Sequence, residues 1–239
     1  WCWDYLNIIN AVNNIAEAIR NGTAVAVSDG SFKEGYGTAA WVIEGATDDD
    51  RLLGRVIAPG GQHDQSPYRS ELTGILATLL MLKRICEFFD INEGEIEFAC
   101  DGLSAPNMAF SSVTVVSIDD PDHDIIGSIK VHLALLQIKV KAKHVDGHQD
   151  DTTPLQELDR WGRLNVEMDR AAKEHIAIAK QRPRHFILPH EPWSIWADNN
   201  KLINNLSKTL YNIVHSEEAR EYWTGRRRLS EDAFHQIHW

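Results

Sequence analysis

Apolar and polar positions alternate in runs that change period several times along the chain. Leu6, Ile8, Ile9, Val12, Ile15 and Ile19 are spaced as on one amphipathic helix over residues 1–21, closed by Asn21-Gly22. Residues 23–28 form a short apolar strand stopped by Asp29-Gly30, and residues 37–43 and 51–57 give two more strands around an acidic turn. Three strands on short connections predict an antiparallel meander. A polar, Gly-rich loop covers 59–67, after which Leu72, Ile75, Leu76, Leu79 and Leu80 recur at helical spacing to about Phe89. Residues 95–100 alternate as a fourth strand ending at Asp101-Gly102. Residues 106–121 are polar and poorly patterned. A helix over 125–137, a fifth strand over 138–145 and a helix from Leu155 or Leu164 to Ile178 follow. Beyond Pro183 come a Trp-rich stretch, a helix over 202–214 and an amphipathic segment from Glu217.

The order β-β-β-α-β-α-β-α describes an α/β domain, a mixed sheet with helices packed on it. The organisation read from it is an N-terminal helix or linker at 1–21, one domain at 22–182 and a C-terminal extension at 183–239.

Three carboxylates stand where such sheets place their chemistry. Asp29 and Asp101 each follow the last apolar residue of a strand, and strand ends are where open α/β sheets bind ligands. Glu71 opens the long helix with Ile75 and Leu79 at i+4 and i+8, so it faces the sheet, where an unpaired charge is costly. Asp169 resembles it, with Ala172 and Ile176 on its inward face. An oxygen-only cluster suits Mg²⁺ or Mn²⁺. Two such ions about 4 Å apart orient a water and stabilise a leaving oxygen in phosphodiester hydrolysis. Each acid also has a plain reading: a turn aspartate for Asp29 and Asp101, a helix-start charge for Glu71, and a surface pair with Lys173 for Asp169.

Composition narrows the setting. The 239 residues are 43% hydrophobic and 25% charged, as in a globular chain, and no run approaches a membrane span. The start, Trp1-Cys2-Trp3-Asp4, is not a signal peptide and reads as part of a longer chain. Three scattered cysteines, Cys2, Cys86 and Cys100, fit neither a disulfide framework nor a zinc site, and suggest an intracellular, reducing compartment, cytoplasmic or nuclear. The net charge of -11 is awkward for binding a phosphate backbone. It is uneven: from residue 180 nine Lys/Arg face seven Asp/Glu, a balance of +2 that leaves -13 upstream.

Read together, the motifs resemble ribonuclease H type 1, a fold found also at the end of reverse transcriptases. Ser28-Asp29-Gly30-Ser31 is similar to the family's first-strand motif, and residues 35–41 to its glycine-rich second strand. Tyr68-Arg69-Ser70-Glu71-Leu72-Thr73-Gly74-Ile75 resembles the helix motif, and Phe98-Ala99-Cys100-Asp101-Gly102 the strand carrying the third acid, with Gly where the family more often has Ser. His144-Val145-Asp146-Gly147-His148 resembles the histidine loop, and Leu164-Asn165-Val166-Glu167-Met168-Asp169 the closing helix. The resemblance covers about residues 23–180. It implies a five-stranded mixed sheet, three strands antiparallel and then parallel ones, flanked by helices and followed here by a mainly helical extension. It also implies two Mg²⁺ ions, replaceable by Mn²⁺, on Asp29, Glu71, Asp101 and Asp169, with His148 as a mobile proton carrier. The implied activity is cutting of the RNA strand of an RNA–DNA hybrid to 5′-phosphate and 3′-hydroxyl ends.

Two departures bear on this. The interval from His148 to Asp169 is longer than usual, placing an insertion around 151–161, and the basic helix some members use to grip the hybrid is replaced by the acidic stretch 111–124. An upstream reverse transcriptase domain in a retroelement polyprotein is the partner this suggests. The alternatives are a non-catalytic module of such a polyprotein and a DNA-directed integrase- or resolvase-like nuclease. Secondary candidates are His144 as a neighbour of the site, an exposed His63, Lys33 or Tyr36 as hybrid contacts, Arg226–Arg228 as a phosphate contact, and Trp193, Trp196, Trp223 and Trp239 as packing for the tail.

Overall fold

The computed structural model describes residues 5–10, 12–112, 115–191, 193–197, 199–225 and 229–236. Its frame is a six-stranded sheet in the order β1-β4-β3-β2-β5-β6. Strands β2 (Ala24–Lys33), β3 (Tyr36–Glu44) and β4 (Arg51–Ile57) make the expected antiparallel meander. On the other side of β2, β5 (Glu95–Cys100) and β6 (Lys139–His144) run parallel to it. Side chains alternate across a strand, and the alternation here feeds two apolar layers. Ala24, Ala26, Trp41 and Ile43 pack under helix α2 (Pro67–Phe88), joined by α3 (Ser104–Phe110) and α4 (His123–Leu135). Val25, Val27, Ala40 and Val42 pack under α5 (Arg160–Ala179) with Leu164, Met168 and Ala172. A meander, two parallel strands and helices on both faces make the RNase H-like arrangement.

The sixth strand corrects the expected five. Residues 1–21 are not one helix: Leu6–Ile9 is strand β1, antiparallel to β4 with Leu6 opposite Gly54 and Ile9 opposite Arg51, and only Val12–Arg20 (α1) is helical. Over so few apolar positions the two periods are indistinguishable. Asn10 breaks the run with a left-handed φ of 57°, which Asn adopts more readily than most residues. Its side-chain amide donates to the Asp49 carbonyl at 2.7 Å. Pairing to the β4 edge, which would otherwise leave backbone groups exposed, outweighs local helical spacing.

The extension also differs in detail. A small hairpin, β7 (Trp196–Ala197) with β8 (Asn200–Lys201), precedes α6 (Leu206–Gly225), a helix longer than its expected range, and α7 (Glu231–Gln236). Its first part is seated on the domain: Leu188 and Ile203 are buried, and Gly60 N–H donates to the His185 carbonyl at 2.7 Å. Trp193 stacks on His123 and Trp196 tilts against Phe186, so both pack locally while staying partly exposed. The candidates Arg226–Arg228 and Trp239, and the start Trp1–Asp4, lie outside the described residues. No helix among the described residues is long and apolar enough to cross a membrane.

Candidate active site

The parallel register of β2 and β5 brings the first two acids side by side. Val27 lies opposite Ala99, and one residue on, Ser28 Oγ and Cys100 Sγ are 3.6 Å apart. Asp29 and Asp101 come next, on the α5 face. Glu71 reaches the same place from the opposite layer. Its helix is started by Pro67 and by Ser66, whose hydroxyl accepts from Arg69 N–H at 2.9 Å. That first turn is pressed on β2 so closely that a Cβ on Gly30 would stand 2.4 Å from Glu71 N. The Glu71 carboxylate lies against Gly102, where a Cβ would be 2.3 Å from Oε2. Asp169 comes from α5, which is tied to β3 by Thr38 Oγ1 donating to the Ala172 carbonyl at 2.7 Å.

The electrostatics follow from this crowding. Asp29 is 6% exposed and accepts one hydrogen bond, from Gly30 N–H at 2.7 Å. Burial, then Asp101 and Asp169, push its pKa up to about 8, with Glu71 adding to the rise against the Gly30 N–H. Burial and Asp101 likewise raise Glu71. Asp169 is partly neutralised, accepting from Lys173 Nζ at 2.7 Å, the pairing that its i+4 spacing allows. No group of three or more His, Cys, Asp or Glu among the described residues is arranged to hold a metal ion. The four acids are therefore near enough to perturb one another without forming a finished coordination sphere.

His148 stands at the corner of the loop after β6, exposed, with a left-handed φ of 51°. Its predecessor Gly147 touches the site, since a Cβ there would be 2.6 Å from Asp101 Oδ2. His144 Nε2 donates to the Asp101 carbonyl at 3.0 Å, which makes it a support for the strand end. His63 is exposed, as expected. Tyr36 is covered by the Arg184 guanidinium, 4.7 Å from its ring, and Lys33 is exposed.

Sequence reading missed Arg69. It is fully buried, and its guanidinium donates to Asp122 Oδ1 at 2.7 Å and to Asp124 at 3.0 Å. The signal was present in Leu72 and Leu76 at i+3 and i+7, which put Arg69 on the inward face. This changes the picture of the acidic stretch 111–124. Asp122 and Asp124 are buried partners of Arg69, and Asp119 accepts from the Ser207 hydroxyl and N–H, at 2.9 and 2.8 Å. Likewise Asp50, in the acidic turn between β3 and β4, is buried and accepts from Asn14 at 2.9 Å.

Two glycines separate stability from site geometry. Gly30→Ala sets a methyl against helix backbone and is expected to destabilise the protein by about 1–3 kcal/mol in urea unfolding. Gly102→Ala meets the end of the Glu71 side chain first, so it should cost under about 1 kcal/mol while displacing that carboxylate. Equal destabilisation by both would contradict this packing.

The raised Asp29 pKa has a definite sign for stability. Between the ordinary carboxylate value and about 8 the folded chain keeps a proton the unfolded chain has lost. The metal-free protein should therefore lose stability as pH rises across that window, by about 1.4 kcal/mol per unit from this group. Thermal unfolding at pH 5 and pH 8 measures it.

No family model and no curated protein matches the chain. Among solved structures, RNase H1 from the halophilic archaeon Halobacterium salinarum matches at 16% identity and TM-score 0.42, over 65% of this chain and 98% of that one. LC11-RNase H1, solved in complex with an RNA/DNA hybrid, matches at 11% identity and TM-score 0.47, over 66% and 99%. The prototype foamy virus protease–reverse transcriptase matches at 16% identity and TM-score 0.41, over 64% of this chain and 20% of that chain. By its strand order and helix layers the chain has an RNase H-like fold.

Proposed function

We propose that the chain is a divalent-cation-dependent ribonuclease H that hydrolyses the RNA strand of an RNA–DNA hybrid, leaving 5′-phosphate and 3′-hydroxyl ends. The observation that best supports this is the buried Asp29 carboxyl, whose pKa burial, then Asp101 and Asp169, with a smaller part from Glu71, push up to about 8. Carboxylates crowded out of water call for a cation. No Lys or Arg among the described residues forms an ion pair with Asp29, Glu71 or Asp101, and the donors are all oxygen, so the set fits Mg²⁺ or Mn²⁺. Asp29, Glu71, Asp101 and Asp169 would hold two such ions. Bound there, they supply Lewis-acid activation of water and neutralise charge on the phosphate.

The chain's own groups do the rest. Glu71 and Asp101 approach from opposite layers and close the site from two sides. His148, exposed beside Gly147, brings an imidazole to the departing 3′ oxygen, where it delivers a proton. Selection of RNA rests on the 2′-hydroxyl, the group that distinguishes it from DNA. With -13 of charge upstream of residue 180, an upstream polymerase domain of a retroelement polyprotein would supply the positive surface for the hybrid.

A second reading, a non-catalytic module, draws on the hold of Lys173 on Asp169 and on the absence, among the described residues, of a finished metal-binding group. A cleavage assay on an RNA–DNA hybrid, duplex DNA and duplex RNA, in Mg²⁺ and in Mn²⁺, separates these. Cutting of RNA in the hybrid alone is expected. Cutting of duplex DNA would point to an integrase- or resolvase-like nuclease, and no cutting in either ion to the module.

A further inference from the structure

The most deeply buried ionic network among the described residues joins the extension to the first turn of α2. Asp124 sits between two cations from distant parts of the sequence. Arg69 Nη2 donates to its Oδ2 at 3.0 Å, and Lys201 Nζ, from β8, donates to the same oxygen at 2.9 Å. The side chains of Arg69, Asp124 and Lys201 are each no more than 1% exposed. Lys201 also donates to Glu191 at 2.7 Å and to the Phe186 carbonyl at 2.9 Å, and Arg69 Nε to the Pro59 carbonyl at 2.6 Å. Every donor of the Lys201 ammonium is thus placed inside protein, and each bond fixes a segment: α4 at Asp124, the chain at Glu191 before the hairpin, and the irregular stretch at Phe186.

Arg69 and Glu71 share the same turn of α2. If Asp124 loses Lys201, its Oδ2 has only Arg69 for compensation, while Glu191 loses its buried cation. A guanidinium holds its fork geometry only while its carboxylate is held too. The helix start that carries Glu71 against Gly30 and Gly102 therefore depends on a residue 130 positions later in the chain.

We propose that Lys201 is a positioning residue for the carboxylate site, fixing Asp124 and through it Arg69, so that the extension holds the first turn of α2 and Glu71 in place. The functional part of this rests on the reading of Glu71 as a cation ligand. The mechanical part does not.

The test compares the full chain with its Lys201→Met and Lys201→Arg variants. Amide hydrogen exchange at residues 69–74 reads the mechanical part, and in Lys201→Met it should speed up by about tenfold or more, with the distal half of α2 unaffected. Mn²⁺ titration reads the functional part, with affinity about tenfold weaker, as when groups that orient ligands are removed. Lys201→Arg, which keeps the charge and the donors, should recover most of both. A tail that merely docks would leave residues 69–74 and Mn²⁺ affinity as in the parent chain, and that result overturns the proposal. Should Lys201→Met not fold, Glu191→Gln keeps the ammonium but removes one of its anchors, and exchange at 69–74 must still quicken; no change there would overturn the proposal equally. If the parent chain binds no Mn²⁺, the ribonuclease reading fails while hydrogen exchange still decides the role of Lys201.

Discussion

Asp29→Asn is expected to lower hybrid cleavage by about a thousandfold or more, the scale seen when a preorganised electrostatic group is lost, and at the same time to make the metal-free protein more stable above pH 8. The two effects have one cause. Asn matches Asp in shape, and Gly30 N–H still has an oxygen to bond, but the amide is a poor cation ligand and carries no charge. In the parent chain burial and the neighbouring acids oppose ionisation of Asp29 up to about pH 8. The cost to folding grows with pH from the ordinary carboxylate value to about 8 and is constant above it, and the Asn variant escapes it. Toward the ordinary carboxylate pKa the unfolded chain increasingly keeps its proton too, and the stability gain should shrink. Cleavage assays paired with urea unfolding at pH 4.5 and pH 9 measure this. A variant that loses activity and stability together would show Asp29 to be a structural residue only.

Arg69→Met should have the largest effect on folding, a loss of about 3–5 kcal/mol at pH 7. Met fills most of the volume, so the loss comes from stranding Asp122 and Asp124 in a buried place. Burial alone would raise the Asp124 pKa, but Arg69 and then Lys201 hold it well below the usual carboxylate value. Its contribution is therefore present above the unfolded pKa and fades as pH falls through the folded one. In the variant the carboxylates lose that support and take up protons more readily. The deficit should be greatest near neutrality and shrink toward pH 4.5, where the stranded acids are neutral. A deficit below about 1 kcal/mol at pH 7 would contradict the buried network.

What could be read from the sequence divides along physical lines. Strands β2 to β6 and helix α2 were legible because each is long enough for its period to declare itself, and Asp29 and Asp101 were placed at strand ends by the residues alone. Their mutual proximity was not legible in that way. It depends on the parallel register that sets Val27 beside Ala99, and only the order of the motifs implied it. Strand β1 was lost inside a helical pattern because four residues do not distinguish a period of 2 from 3.6, and its pairing with β4 is a tertiary fact. The Arg69–Asp124–Lys201 network was invisible for the same reason. Its members come from α2, α4 and β8; Arg69 alone carries a local sign of burial, in its helical spacing to Leu72 and Leu76, and its partners look like ordinary charges until the fold removes them from water. Gly102, a departure from the Asp-Ser pattern, has a reason that only the packing shows: it makes room for the Glu71 carboxylate.

The most direct test of four acids sharing a cation is calorimetric Mn²⁺ titration of the full chain and of Asp29→Asn at pH 7, in two buffers of different ionisation heat. With Asp29 protonated below about pH 8, the parent chain should bind Mn²⁺ while releasing a proton, more tightly as pH rises, and the variant should bind at least about tenfold more weakly and release none. Absence of binding by the parent chain, or equal binding by both without proton release, would contradict it.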